Sequence, residues 1–298
     1  MFTGSLVAIV TPMRPDGSID PEAWDGLLDW HLGAGTSAIV IGGTTGESAT
    51  LTDAELAQLV GRARARLRGR LPVIAGVGGS STAEVVERAR TLGRSGADAL
   101  LVVTPAYNRP PQEGLYRHFA AVAAAAGVPL VLYNVPTRTA VDLLPETVAR
   151  LAKLPGIVAV KEAVPSIARI RELVAATGPG FDVLSGDDAT AREAVAAGAR
   201  GVISVTANVA PEAMARMMAA ALRGDAAGAA RIDADLAELH QVLFVETNPI
   251  PVKWALAQLG RIQGGIRLPL TELSAAQQPV VRRVLEVAGL FEAKARQA

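Results

Sequence analysis

Ile157-Val158-Ala159-Val160-Lys161-Glu162-Ala163-Val164 is apolar along most of its length and rich in β-branched residues. A strand with no polar face is one covered on both faces, which is the habit of parallel sheets wrapped by helices. Seven more short runs of this kind occur near Leu6 to Thr11, Ser37 to Gly42, Pro72 to Val77, Ala99 to Thr104, Pro129 to Val135, Asp182 to Ser185 and Gly201 to Thr206. Helical patterns separate them, and their start signals are legible. Asp20-Pro21 precedes Glu22, Thr52-Asp53-Ala54-Glu55 and Ser81-Thr82-Ala83-Glu84 read as capping boxes, and Pro145-Glu146 opens another helix. Eight strand-then-helix repeats predict an α/β fold, a (β/α)8 TIM barrel, with a doubly wound open sheet as the alternative. After the eighth strand only helices are expected: Pro211 to Leu222 closes the barrel, and Ala226 to Phe244, Pro251 to Leu259 and Ala275 to Ala288 form a C-terminal helical extension. The expected division is a catalytic barrel over residues 1–224 and a helical domain over 225–298.

Half of the 298 side chains are hydrophobic, enough for a large core, and the formal net charge is zero. With its basic residues dispersed, the chain lacks the electrostatic footprint of a nucleic-acid or anionic-membrane binder; small neutral or anionic metabolites fit better. Cysteine is absent, which excludes disulfides and thiolate chemistry. His31, His118 and His240 are far apart in sequence, so no metal centre is expected. The amino terminus has no leader-like pattern and no apolar run reaches membrane-spanning length; the expected location is cytoplasmic.

Within this frame Lys161 is out of place. The chain has four lysines among its 29 basic residues, the rest being arginine. A buried lysine can become a neutral amine and attack a carbonyl, which arginine cannot do. In water such an amine holds its proton at neutral pH, with a reference pKa of about 10.4, so activation requires a dry interior. Alternation places Lys161 on one face with Ala159 and Ala163, small neighbours that leave room for a substrate. The competing reading is a lysine snorkelling at a strand end or paired with a carboxylate.

Loops at the carboxyl ends of barrel strands build active sites. Gly42-Gly43-Thr44-Thr45-Gly46-Glu47, Tyr133-Asn134-Val135-Pro136-Thr137-Arg138 and Ser185-Gly186-Asp187-Asp188 all fall there. Tyr133 shares an interior face with Val131 and Val135 and could move protons, or simply pack by its ring. Thr44 and Thr45 could approach a carboxylate, or merely form a tight turn. Arg138 could grip a carboxylate with two hydrogen bonds, or sit solvated at the surface. Gly76-Val77-Gly78-Gly79-Ser80-Ser81 lacks the spacing of a phosphate loop. Asp187-Asp188 suits a helix start better than a magnesium site.

Together Gly42–Glu47, Tyr133–Pro136, Val160–Ala163, Gly201–Asn208 and Asn248-Pro249-Ile250-Pro251-Val252-Lys253 resemble the dihydrodipicolinate synthase family, the 4-hydroxy-tetrahydrodipicolinate synthases among the pyruvate-dependent class I aldolases, from near the start to about Leu290. The resemblance implies a Schiff base between Lys161 and pyruvate, then enamine attack on L-aspartate 4-semialdehyde, in the diaminopimelate route to lysine, without a cofactor. It makes Tyr133 the general acid/base, Thr44 a proton-relay partner and Tyr107 a relay member from a neighbouring subunit. Thr45 would hold pyruvate's carboxylate and Arg138 that of the semialdehyde, with Gly186 and the Ile203 carbonyl lining the pocket. It further implies a homotetramer built from two tight dimers. At the family's lysine-feedback site Ser48, Ala49 and Glu84 match. Asp53, Leu56, Ser80 and Ala106 stand where regulated members carry His, His, Asn and Tyr, so weak or no inhibition by lysine is expected. Val164-Pro165-Ser166 departs from the usual small polar and glycine residues. Another pyruvate aldolase, acting on a 2-keto-3-deoxy sugar acid or sialic acid, and a non-catalytic metabolite-binding paralogue are the alternatives.

Overall fold

The computed structural model describes residues 1–291. Strands β1 (Gly4–Ala8), β2 (Ala38–Ile41), β3 (Val73–Val77), β4 (Ala99–Val103), β5 (Leu130–Asn134), β6 (Ile157–Glu162), β7 (Asp182–Ser185) and β8 (Gly201–Ser204) pair in chain order. β8 returns to β1 in parallel, Gly4 opposite Gly201, so the sheet closes as a barrel and the open alternative falls away. The helices are α1 (Pro21–Gly33), α2 (Asp53–Leu67), α3 (Thr82–Arg94), α4 (Gln112–Ala126), the short α5 (Pro136–Thr139) and α6 (Pro145–Leu151), α7 (Ile167–Thr177), α8 (Ala191–Ala196) and α9 (Pro211–Leu222). Beyond the barrel come α10 (Ala226–Val242), α11 (Ile250–Gln258) and α12 (Gln278–Val287).

Two apolar layers explain why the strands read as apolar throughout. One cluster fills the barrel itself, with Leu6, Val40, Ile74, Leu101, Val131, Ala159, Leu184 and Ile203. The alternate residues, such as Ile39, Val73, Leu100, Leu132, Val160 and Val183, pack outward with Trp24 and Phe119 of the surrounding helices. Neither face is free for water. Between β5 and β6 the register slips: Leu130 pairs with Ile157, but Val131 pairs with Ala159. The slip precedes the functional end of the pair, where Tyr133 lies opposite Lys161 and Asn134 opposite Glu162.

Local signals account for most boundaries. Asp20 caps α1 through the amides of Glu22 and Ala23, and Thr52 and Glu55 form a complete reciprocal box on α2. Ser81 supplies the forward bond to Glu84 N on α3, at 3.5 Å. The first strand ends at Ala8 rather than Thr11. There the Asn208 side chain takes the place of a neighbouring strand, accepting from Val10 N at 3.0 Å and donating to the Ala8 carbonyl at 2.9 Å.

The chain after α10 turns back over the carboxyl ends of the strands. Asn248 donates to Thr45 Oγ1, Lys253 pairs with Glu47, and Arg267 bonds Glu55 and the Thr50 carbonyl. The extension thus forms part of the wall around the barrel mouth.

Candidate active site

Lys161 projects into the barrel from β6 and is 6% exposed. Its Nζ lies 4.5 Å from the centre of the Tyr133 ring on the adjacent strand. Among the described residues no carboxylate comes within ion-pair distance of it, which removes the paired-carboxylate reading. Gly186, following β7, packs against the lysine stem: a Cβ there would come within 2.9 Å of Lys161 Cε and of Ala163 Cβ. A residue larger than glycine would displace the lysine side chain.

Behind these two residues lies a polar network that sequence reading did not find. Because successive strand side chains alternate, Asn134 and Glu162 point away from Tyr133 and Lys161. Asn134 Nδ2 donates to both Glu162 carboxylate oxygens at 3.1 Å and to Asp142 at 2.7 Å; its Oδ1 accepts from Leu143 N. Arg169 on α7 grips Asp142 with two hydrogen bonds and comes within 3.6 Å of Glu162. Burial pushes the Glu162 carboxyl above the ordinary glutamate range, against hydrogen bonds from Val164 N and Asn134. The atypical Val164-Pro165-Ser166 segment fits this scheme, with Val164 N bonded to Glu162 and Ser166 capping α7.

Thr44 and Thr45 occupy the loop after β2. Thr44 and Tyr133 line one small cavity of about 50 Å³ with Gly76 and Gly78, and Thr44 and Arg138 line the adjoining cleft of about 520 Å³. Near the end of β3, Gly76 serves close approach: a Cβ there would lie 2.1 Å from the Gly42 carbonyl oxygen. Thr45 is buried, its hydroxyl accepting from Asn248 Nδ2 at 3.0 Å. Arg138, exposed on α5, donates from Nη2 to the Asn248 carbonyl at 3.3 Å. The short helix is tied down by Thr139, whose hydroxyl meets that of Thr104 at 3.1 Å.

Ile203 is buried in the barrel lining on β8. Tyr107 is not drawn into the site of its own chain: it is 92% exposed, with a left-handed φ of 73°. Asp188 does not cap the next helix, whose N-cap is Thr190; it is buried and accepts from Val205 N and Thr206 N, fixing the turn after β8. Asp187 instead bonds Thr190. Each histidine is buried against a threonine hydroxyl at 2.9 Å, His31 with Thr36, His118 with Thr82 and His240 with Thr206. Asn248 and the Glu47–Lys253 pair were missed as parts of the site. The available signal was Lys253, a second lysine in an arginine-rich chain.

A family model described as the dihydrodipicolinate synthetase family matches residues 1–288. A 4-hydroxy-tetrahydrodipicolinate synthase of Alcanivorax borkumensis is 54% identical, over 99% of this chain and all of that one. Among solved structures, the chloride-inhibited dihydrodipicolinate synthase from Acinetobacter baumannii complexed with pyruvate superposes with a TM-score of 0.96 at 47% identity, covering 97% of this chain and 100% of the other. The enzyme from Cyanidioschyzon merolae with lysine bound gives 0.94 at 38% identity, covering 97% and 99%. A barrel with an interior lysine against a tyrosine, matched from end to end by this family, permits one conclusion: the chain belongs to the dihydrodipicolinate synthetase family.

Proposed function

We propose that this chain is a 4-hydroxy-tetrahydrodipicolinate synthase, joining pyruvate to L-aspartate 4-semialdehyde through a Schiff base on Lys161. The observation that carries this reading is the buried amine of Lys161 over the Tyr133 ring, with no carboxylate partner among the described residues. The amine adds to the pyruvate ketone, and loss of water gives an imine. Removal of a methyl proton gives an enamine, which attacks the aldehyde carbon. The amine of the adduct then closes on the imine carbon and releases Lys161. Tyr133 serves as general acid and base for these transfers, with Thr44 as its relay partner and Tyr107 supplied by a neighbouring subunit. The exposure of Tyr107 within one chain supports that last role. Thr45 holds the carboxylate of pyruvate and Arg138 that of the semialdehyde, while Gly186 and the Ile203 carbonyl line the pocket.

In this reading the enzyme is a cytoplasmic homotetramer of two tight dimers, with chemistry in residues 1–224 and a helical domain in 225–298, of which 292–298 lie outside the described residues. Reduction with borohydride in the presence of pyruvate, followed by intact mass and peptide mapping, tests the mechanism. A pyruvate-sized adduct on Lys161 is expected, and no adduct would rule the mechanism out.

Weak or absent inhibition by L-lysine belongs to the same proposal. Ser48, Ala49, Asp53, Leu56 and Ala106 line the large cleft, and there Asp53 is engaged by Arg88 at 2.7 Å. Ala106 offers no aromatic wall. Steady-state rates should be unchanged by micromolar lysine; inhibition in that range would contradict the reading.

A further inference from the structure

We propose that Glu47 and Lys253 are positioning residues, whose buried ion pair holds the threonine loop against α11 and so fixes Thr45 relative to Lys161. This rests on the reading that Thr45 holds pyruvate's carboxylate. Four observations support it.

Glu47 ends the loop Gly42–Glu47 in a left-handed conformation, φ 58°, which a side chain with a Cβ adopts only when its surroundings over-determine it. Here the surroundings are the C-terminal segment. Glu47 Oε1 pairs with Lys253 Nζ, 206 positions away in sequence, and Oε2 accepts from Arg267 N at 3.1 Å. Both carboxylate oxygens are therefore engaged by that segment, and the side chain is fully buried. Glu47 is thereby unavailable as an acid or base for substrate.

Lys253 is 3% exposed. Burial pulls its ammonium below the ordinary lysine range, against the attraction of Glu47. A buried ion pair is a poor device for stability alone, because desolvation of both charges offsets their attraction. Its use here at the junction of a strained catalytic loop and a distant helix favours a geometric purpose.

The same segment makes two more contacts with the site. Asn248, just before α11, donates to Thr45 Oγ1, and its carbonyl accepts from Arg138. A shift of α11 relative to the loop would therefore disturb the anchors of both substrate carboxylates together. Thr44 and Thr45 are linked to Glu47 through a tight turn, Gly46 N to Gly43 O at 3.0 Å and Glu47 N to Thr44 O at 3.1 Å, so displacement of Glu47 carries the threonines with it.

The test compares Glu47→Gln, Lys253→Met and the double variant Glu47→Leu/Lys253→Met with the parent. The readouts are Tm, kcat, pyruvate KM and borohydride capture of pyruvate on Lys161. The double variant leaves no unpaired buried charge and should melt within a few degrees of the parent. Its pyruvate KM should nevertheless rise about 10-fold and kcat fall about 10- to 100-fold, as expected for a displaced positioning group. Capture on Lys161 at saturating pyruvate should persist, which separates a misplaced loop from a lost nucleophile. A folded double variant with parental kcat and KM would overturn the proposal. If the double variant does not fold, Glu47→Gln decides: it keeps the shape and loses the charge, should raise pyruvate KM about 3-fold, and parental constants would overturn the proposal. Failure of capture in the parent would overturn the Lys161 reading and this inference with it.

Discussion

Lys161 and Lys253 are 6% and 3% exposed, and the fold treats their amines in opposite ways. Lys253 meets the Glu47 carboxylate, which binds its charge into the structure. Lys161 meets the face of a tyrosine ring and the bare backbone of Gly186. Burial by itself therefore does not fix the surroundings of a lysine's amine; what the neighbouring strand or loop places beside it does. A carboxylate partner turns the amine into a strut, whereas a ring and a glycine leave it open to a carbonyl compound.

The sharpest way to break this contrast is Lys161→Arg. A guanidinium keeps the positive charge but cannot form the imine, so turnover should fall at least about 10⁴-fold, with no captured adduct on the protein. Residual activity within 10-fold of the parent would refute the nucleophile assignment. Next in size is Lys253→Met alone. It leaves Glu47 buried without its partner, a loss of about 3–5 kcal/mol measurable by denaturant unfolding. A negligible loss would show that the pair is not as buried in solution as it is here. Arg138→Ala should raise the KM for aspartate semialdehyde about 10- to 100-fold, the worth of a charged hydrogen-bonded contact, while adduct formation with pyruvate continues. An equal effect on both substrates would place Arg138 elsewhere in the mechanism.

The smallest effect concerns two buried imidazoles that the fold keeps neutral. Burial lowers His31 to about 3 and His118 to about 4, both below the ordinary 6.5. The unfolded chain then binds more protons than the folded one in the interval between. Stability from this source is complete above about pH 6.5 and declines as pH falls towards the folded values. Melting temperature should drop between pH 7 and 5, and His118→Gln should flatten that slope. A profile unchanged by the substitution would exclude His118 as a source.

The part of the molecule legible in the sequence is the part set by local pattern. Eight apolar runs with intervening capping signals pointed to a barrel, with an open sheet as the alternative until β8 was seen to pair with β1, and boundary errors were small. The error at β1 arose because Asn208 substitutes for a neighbouring strand from 198 and 200 positions away. Strand alternation correctly placed Lys161, Ala159 and Ala163 inside. It did so even though the register slip at Leu130 and Val131 is invisible in the sequence, because the slip lies before those residues. By contrast, Asp188 was misread as a cap since its real partners, Val205 N and Thr206 N, belong to the next strand's loop. Asn248 carried no local signal for its bond to Thr45, 203 positions away.

By itself the sequence determined the eight strand-and-helix repeats, the helical extension and the odd amine within an apolar strand, because hydrophobic periodicity and capping act over a few residues. Tertiary structure alone decided what the polar side chains around the barrel mouth meet. Lys161 is set against Tyr133 by strand pairing, Glu47 is locked to Lys253 by the returning C-terminal segment, and Asn134 and Glu162 are joined behind the wall. Closure of the barrel brings distant residues within hydrogen-bonding range and excludes water from between them, and no local pattern encodes either.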